Sequence, residues 1–246
     1  MLALCIVPVS VQGGSAEEAD VRRADLVWSD AEAGGNAIWF SSWQAGSWET
    51  PVRITDDQVL NLHPQVDGGN DGRRFMAWTG VREGVFGLRY SVQENGVWSA
   101  PQSVDTGLSS NIAPSVLVDG DGTPWMVWAG NDGGLDDVYF SRLVDAVWQE
   151  ARRLHPANNV PDILPQLGYD GAGRLQVTWQ SFQEGAYRSF ASFWDGSGWS
   201  TPELVTAEAS GGEEQDAASA GMPDLPAEVA NSRMSFLRMY MAPTGR

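Results

Sequence analysis

Eight of the twelve tryptophans in this chain fall on one period of about fifty residues, and no other feature of the sequence constrains the fold as tightly. One series is Trp48, Trp98, Trp148 and Trp199, each seven residues after a serine: Ser41, Ser91, Ser141 and Ser192. The other is Trp28, Trp78, Trp128 and Trp179. Both advance in steps of 50, 50 and 51 residues. A period of this length marks a repeat array, whose units are too small to bury their own apolar faces and must stack on one another.

Within a period the chain reads as four short strand-like runs separated by turn signals. The second repeat is the clearest. HPQVDG runs into the glycine-rich turn GGNDG, RRFMAW ends at Trp78, LRYSV follows the turn REGVFG, and ENG leads into VWSAPQSV. The third and fourth repeats match it, with APSVLVDG and LPQLGYDG as their first runs. Pro64, Pro114 and Pro165 open the first strands at the same spacing, where a residue lacking a backbone donor is tolerated. Residues 21–206 hold four such repeats; residues 207–246 read as an acidic loop followed by a degenerate fifth repeat around SRMSFLRMYM. Residues 1–20 form a separate segment. Its apolar run LALCIVPV, followed by GGSA, has the order of an export signal without the basic start, and it also suits a strand completing the first repeat or, at Cys5, a lipid-attachment site.

The expected fold is all-β: a β-propeller of four-stranded antiparallel blades, either five-bladed or a fragment of a six-bladed ring. The series Trp28, Trp78, Trp128 and Trp179 is expected to pack between blades. The S-x6-W spacing resembles the Asp-box of the sialidase-like propellers, whose pattern is S-x-D-x-G-x-T-W. The aspartate position is here Trp43, Gln93, Leu143 and Trp194, and the glycine position is Ala45, Asn95, Asp145 and Gly196. Trp43 and Trp194 are expected near the surface. In that family the motif shapes a turn on the face away from the active site, so the resemblance implies a fold and carries no catalysis. The family's arginine triad and Arg-Ile-Pro segment have one echo, Arg53-Ile54 followed by Thr55, which reads as an exposed strand arginine.

Function is therefore sought on the opposite loops, those joining second to third strands and those joining successive repeats. Asn61, Asn111 and Asp162 stand three residues before the strand-opening prolines. They serve either to satisfy backbone groups at the strand entrance or to line the mouth of a central channel. With His63, Arg82, Asp132 and Glu184 they form the candidate ligand-binding set. Asp56, Asp132, Asp136 and Glu184 are the candidate carboxylates if the chain is a divergent glycoside hydrolase, since glycosidases need two acids flanking one bond. His63 and His155 have a general base's chemistry but no partner visible in sequence. NDGGLDD, with Asp132, Asp136 and Asp137, is the candidate calcium loop, although no run completes a recognised calcium motif and Asp-Gly is also a favoured hairpin turn. No other cofactor is implied.

Charge narrows the partners. Fifteen basic residues, all arginine, face 32 acidic ones, for a net charge of −17. Such a chain repels nucleic acid and anionic membranes. Its one cysteine excludes an internal disulfide, and no apolar run reaches the ~18 residues of a membrane-spanning helix. The sequence thus points to a secreted or cell-envelope recognition module without catalytic residues, taking a glycan or a protein as ligand. The divergent hydrolase and a purely structural ring are the alternatives.

Overall fold

The computed structural model describes residues 5–6, 23–44, 46–69, 71–205 and 234–242. Among these residues there are strands and no helices, arranged as successive antiparallel sheets. The second sheet shows the pattern: β6 (Leu60–Gly68), β7 (Arg74–Arg82), β8 (Val85–Glu94) and β10 (Gln102–Val104), each antiparallel to the strand before it, with the short β9 (Val97–Trp98) folded back on β8. The third sheet is β11 (Ser110–Val118), β12 (Pro124–Asn131), β13 (Asp137–Val144), β14 (Val147–Trp148) and β15 (Arg152–Arg153). The fourth is β16 (Asp162–Tyr169), β17 (Leu175–Gln183), β18 (Ala186–Phe193) and β19 (Glu203–Leu204).

The first sheet is composite, and a single parallel pair, Asn36 with Leu60, joins it edge to edge with the second. β2 (Arg23–Glu32), β3 (Gly35–Gln44), β4 (Ser47–Trp48) and β5 (Val52–Arg53) supply the later strands of a unit. The leading position, beside β2, is taken by β20 (Met234–Ala242), and β1 (Cys5–Ile6) lies parallel to β20. The degenerate C-terminal run is thus a strand of the first sheet. Residues 1–4, 7–22 and 206–233, with the rest of the expected export segment and the acidic loop, lie outside the described residues.

The serine-tryptophan motif has a plain physical basis. In every repeat the serine is buried and its hydroxyl donates to the carbonyl of the residue just after the tryptophan: Ser41 to Glu49 at 2.7 Å, Ser91 to Ser99 at 2.8 Å, Ser141 to Gln149 at 2.6 Å and Ser192 to Ser200 at 2.7 Å. The bond ties the third strand to the start of the fourth. It thereby fixes where the indole points. Trp98 meets Phe40 edge-on at 5.0 Å, Trp148 meets Phe75 and Tyr90 at 5.5 and 5.6 Å, and Trp199 meets Trp125 and Phe140 at 6.0 and 5.7 Å. In each case the partner belongs to the preceding sheet, so the motif is the contact by which one sheet seats on the last.

The second series works from the same side. Trp78, Trp128 and Trp179 each sit in the apolar cluster between their own sheet and the one before. Trp28, Trp128 and Trp179 stack on cross-strand aromatic neighbours, Trp39, Tyr139 and Phe190, while Arg89 takes that place over Trp78. Trp43 is half-buried against Trp48. Trp194 is half-buried as well, with one side on the cluster between the third and fourth sheets, 5.1 Å from Trp125.

Two further devices hold the arrangement. A buried ion pair joins the first two sheets, Arg74 Nε to Asp25 Oδ2 at 2.9 Å, with Arg74 Nη2 donating to Ser42 and Nη1 to Gln93. At the other end the leading strands of the second, third and fourth sheets, β6, β11 and β16, each carry a bulge at a proline. His63, Ala113 and Leu164, immediately before Pro64, Pro114 and Pro165, have φ of 51°, 52° and 53°, and the ladder slips by one residue at each. A non-glycine residue in the left-handed region before proline is strained. Hydroxyls of the preceding sheet brace it: Ser29 Oγ donates to the Asn61 carbonyl at 2.6 Å, and Thr79 Oγ1 accepts from the Ala113 N–H at 3.1 Å.

Removing the seating contact should be costly. Trp148→Ala should destabilise the protein by about 3–5 kcal/mol, and Ser141→Ala, which removes one hydrogen bond, by ~0.5–1.5 kcal/mol. The exposed neighbour Val147→Ala should stay within ~0.5 kcal/mol. Urea unfolding midpoints measure all three, and equal losses at Trp148 and Val147 would contradict the seating role.

Candidate functional site

Antiparallel strand order places the hairpins between second and third strands at the same end as the starts of the leading strands. Register shows it directly: Asn61 pairs with Gly80, Asn111 with Gly130 and Asp162 with Ser181, each near the hairpin end of its second strand. The serine-tryptophan turns lie at the opposite end. Polar side chains gather at two places on the hairpin end.

The first is a cleft of about 140 Å³ lined by Glu32, Asn36, Arg53, Asp56, Asp57 and Gln58, with Gly35 at its base. Gly35 is needed for close approach. A Cβ there would lie 2.5 Å from the Val59 carbonyl oxygen, and the Asn36 N–H donates to that same oxygen at 3.1 Å. Arg53 is held on three sides: Nη2 to Glu32 Oε2 at 2.8 Å, Nε to the Thr55 carbonyl at 2.6 Å, and its guanidinium 5.9 Å above the Trp39 ring. Asp57 accepts from Arg89 and, at 3.2 Å, from Asn61 Nδ2. Burial would raise the Asp57 pKa, but these two hydrogen bonds and the Arg89 charge outweigh it and hold the carboxyl below its ordinary value. Asp56 stays exposed at the rim.

The second gathering lies between the third and fourth sheets, and here the charges are closed on themselves. Arg153 bonds Asp132 at 2.5 Å through Nη2 and pairs with Asp137 at 3.0 Å through Nε, its guanidinium 5.7 Å over the Tyr139 ring. Asp136 accepts from Asn131 Nδ2 at 3.0 Å and gives its carbonyl to the Asp162 N–H at 2.8 Å. His155 stacks on Trp179 at 5.3 Å, directs Nδ1 to the Pro156 carbonyl at 2.8 Å and places Nε2 3.2 Å from Asp162 Oδ2. Asp162 also accepts from Asn158 Nδ2 at 2.8 Å and from Trp179 Nε1 at 3.2 Å.

Asn61, Asn111 and Asp162 therefore turn inward. All are buried, and in two of the three the side chain receives the buried indole N–H of the tryptophan on the next strand, Trp78 to Asn61 at 2.8 Å and Trp179 to Asp162. In the third sheet Asn111 Oδ1 and Trp128 Nε1 have no hydrogen-bond partner among the described residues. His63 is half-buried in its bulge, and burial lowers its pKa. Arg82 is exposed at its hairpin, and Glu184 is exposed and paired with Arg188 at 2.5 Å. Arg82 is near enough for its charge to help hold the Asp57 carboxyl below its ordinary value, but His63, Arg82 and Glu184 do not line the cleft.

The calcium loop's acids face Arg153 and Asn131, and among the described residues no three His, Cys, Asp or Glu side chains are grouped to hold a metal ion. The other acidic-glycine loops are turns. Asp119 Oδ1 accepts from the N–H groups of Asp121 and Thr123 at 3.0 and 2.9 Å, and Asp170 repeats the arrangement with Ala172 and Arg174.

Asn36, Arg53 and Gln58 were not singled out as ligand groups by sequence. One signal was present: Glu32 and Arg53, like Asp132 and Arg153, stand 21 residues apart at equivalent points of two repeats.

The His155–Asp162 pair makes stability depend on pH. For His155, burial opposes the charge, but the Asp162 and Pro156 hydrogen bonds and the nearby carboxylates outweigh it, so its pKa rises above 6.5. For Asp162, burial is outweighed by hydrogen bonds from His155, Ser181 and Asn158, so its pKa falls below 3.8. The histidine's contribution is full below pH 6.5 and is lost as pH rises through its raised value; the aspartate's is present above 3.8 and is lost as pH falls through its lowered one. The melting temperature of the wild type should thus exceed that of His155→Gln most in the interval between, with the gap narrowing at alkaline pH. Parallel thermal melts from pH 4 to 9 test this, and a gap that widens with pH would exclude it.

No family model and no curated protein matches the chain. Among solved structures it is similar to a protein of unknown function from Dyadobacter fermentans (TM-score 0.56, 12% identity, covering 70% of this chain and 58% of that one). It is also similar to an ulvan lyase bound to a glucuronic acid–sulfated rhamnose unit (0.52, 12%, 78% and 57%) and to a xylan β-1,4-xylosidase from Bacillus halodurans (0.51, 14%, 74% and 41%). The chain spans about half the length of these proteins. At such identities the likeness is one of fold: stacked antiparallel sheets of the kind these proteins share.

Proposed function

We propose that this chain is a carbohydrate-recognition module built on a sialidase-like propeller arc, acting outside the cytoplasm, with the cleft between the hairpin end of its first sheet and the connection to the second as the binding site. The observation that carries the reading is the held Arg53. Its guanidinium is tethered by Glu32 and by the Thr55 carbonyl and lies over Trp39, beside Asn36, Asp56, Asp57 and Gln58. Carboxylates, amides and a fixed guanidinium are the groups that bind vicinal hydroxyls, and a site already positioned loses little entropy on binding. Carboxylates outnumber the single arginine there, on a chain of net charge −17, which favours neutral or amino sugars over polyanions. Two of the fold neighbours, the ulvan lyase and the xylosidase, act on carbohydrate by name, which supports the ligand class. The apolar run at residues 2–9 supports export.

The hydrolase reading keeps one supporting observation, that Glu32 and Asp56 line the same cleft. Glu32 is tied to Arg53, and of the other candidate carboxylates Asp132 is tied to Arg153 and Glu184 to Arg188, which favours binding over turnover.

A neutral-glycan array with the intact protein tests the first reading. Arg53→Ala should weaken any captured glycan by about 10–100-fold, the effect of one charged hydrogen bond, while Arg188→Ala should leave it unchanged. An array without captured glycans, or binding indifferent to Arg53, would remove the proposal. Turnover of chromogenic glycosides lost in Asp56→Asn would replace it with the hydrolase.

A further inference from the structure

Each sheet presents a forward face to the next, and cross-strand register identifies the side chains on it. In the first sheet these include Val27, Ile38 and Phe40, in the second Phe75, Ala77, Leu88 and Tyr90, and in the third Trp125, Val127, Val138 and Phe140. The apolar faces are what the incoming tryptophans seat against. The fourth sheet breaks this pattern. The equivalent positions are Gln176, Thr178 and Gln180 on β17 and Ser189 and Ala191 on β18, with Thr178 opposite Ala191 and Gln180 opposite Ser189.

The exchange is systematic. Gln176 stands where Phe75 and Trp125 stand, Ser189 where Leu88 and Val138 stand, and Ala191 where Tyr90 and Phe140 stand. Gln180 Nε2 donates to Ser189 Oγ at 2.8 Å, a polar pair lying on the face itself. Phe193 is covered by the sheet's own Arg174, whose guanidinium lies 4.2 Å from the ring centroid, and the other two rings on this face, Phe182 and Tyr187, meet each other at 5.1 Å at the hairpin tip, beyond the stretch where the other sheets seat their neighbours. The sheet's rear face is ordinary: Leu167, Leu175, Val177 and Trp179 pack on the third sheet.

The first sheet offers no match to this surface. Its rear face carries Ala24, Leu26 and Trp28, which are apolar and buried. An apolar surface laid over Gln176, Thr178, Gln180 and Ser189 would strip their amides and hydroxyls of water without returning hydrogen bonds. Among the described residues the fourth sheet makes its extended contacts with the third and none with the first. Repeat arrays end in units whose outer face is polar, because the last face has no neighbour to cover it.

We propose that the fourth sheet is the capping unit of the stack. Its forward face is built to meet water, so that neither the first sheet nor a second copy of the chain packs there and the sheets form an open arc. This is independent of what the cleft binds.

The test uses matched substitutions at one position of the repeat in the intact protein. Thr178→Glu on the fourth sheet should leave the melting temperature within ~2 °C of wild type, as at an ordinary surface site. Ala77→Glu, the equivalent position between the second and third sheets, should lower it by more than ~10 °C or prevent folding, because it buries an unpaired charge. Sedimentation velocity should show a monomeric wild type. A drop of more than ~2 °C for Thr178→Glu would mean that the face is covered and would overturn the proposal. So would a self-associating wild type that Thr178→Glu disperses.

Discussion

The hydroxyl of a buried serine, donated to a carbonyl eight residues on, is the contact on which the remaining architecture rests. Ser41, Ser91, Ser141 and Ser192 all make it, at 2.6 to 2.8 Å. One such bond is a modest contribution, yet its geometric effect is large. It closes the turn that would otherwise let the fourth strand drift and aims an indole at the sheet behind. For Trp98, Trp148 and Trp199 that indole finds an aromatic partner already in place. Local hydrogen bonding sets a direction, and burial of aromatic surface supplies the free energy.

The two ends of the stack then diverge. The serine end is regular in every repeat. At the other end a pre-proline residue in the left-handed region puts a bulge in the leading strands of the second, third and fourth sheets. Strain of this kind persists where the surroundings over-determine it, and such places often carry function. Here the bracing comes from Ser29 and Thr79 on the preceding sheet, next to the tryptophan series. The regular end makes the stack, and the strained end frees loop residues for other uses.

This division decides what could be read from sequence. Packing repeats, so both tryptophan series, the strand-opening prolines and the four-strand units were legible from periodicity alone. Trp194 carries a contact the motif does not announce, an edge-on approach to Trp125 of the preceding sheet. The Asn61, Asn111 and Asp162 series was legible as a series. Its use was not, since a polar residue facing a channel and one facing an indole have the same spacing. The cleft escaped because it depends on Gly35, Asn36 and Arg53 meeting across strands, and on the backbone of Val59 approaching closer than any side chain would allow. The composite first sheet escaped for a related reason: pairing between residues some two hundred apart leaves no local pattern.

The two polar gatherings show how one frame yields an open site and a closed one. The first and third sheets share an arginine in the fourth strand, held by an acid from the hairpin 21 residues earlier and lying over an aromatic ring. Beyond that frame they differ at a few positions. Where the first sheet has Ala37, the third has Asp137, whose carboxylate takes the Nε of Arg153; in the first sheet the Nε of Arg53 turns instead to a backbone carbonyl. Where the first has Thr55, the third has His155, which folds over Trp179 and pairs with Asp162. A methyl and a hydroxyl leave room; a carboxylate and an imidazole fill it. The cleft beside Arg53 is therefore what this repeat leaves when those two substitutions are not made, and the cluster around Arg153 is the same place made into a fastening between sheets.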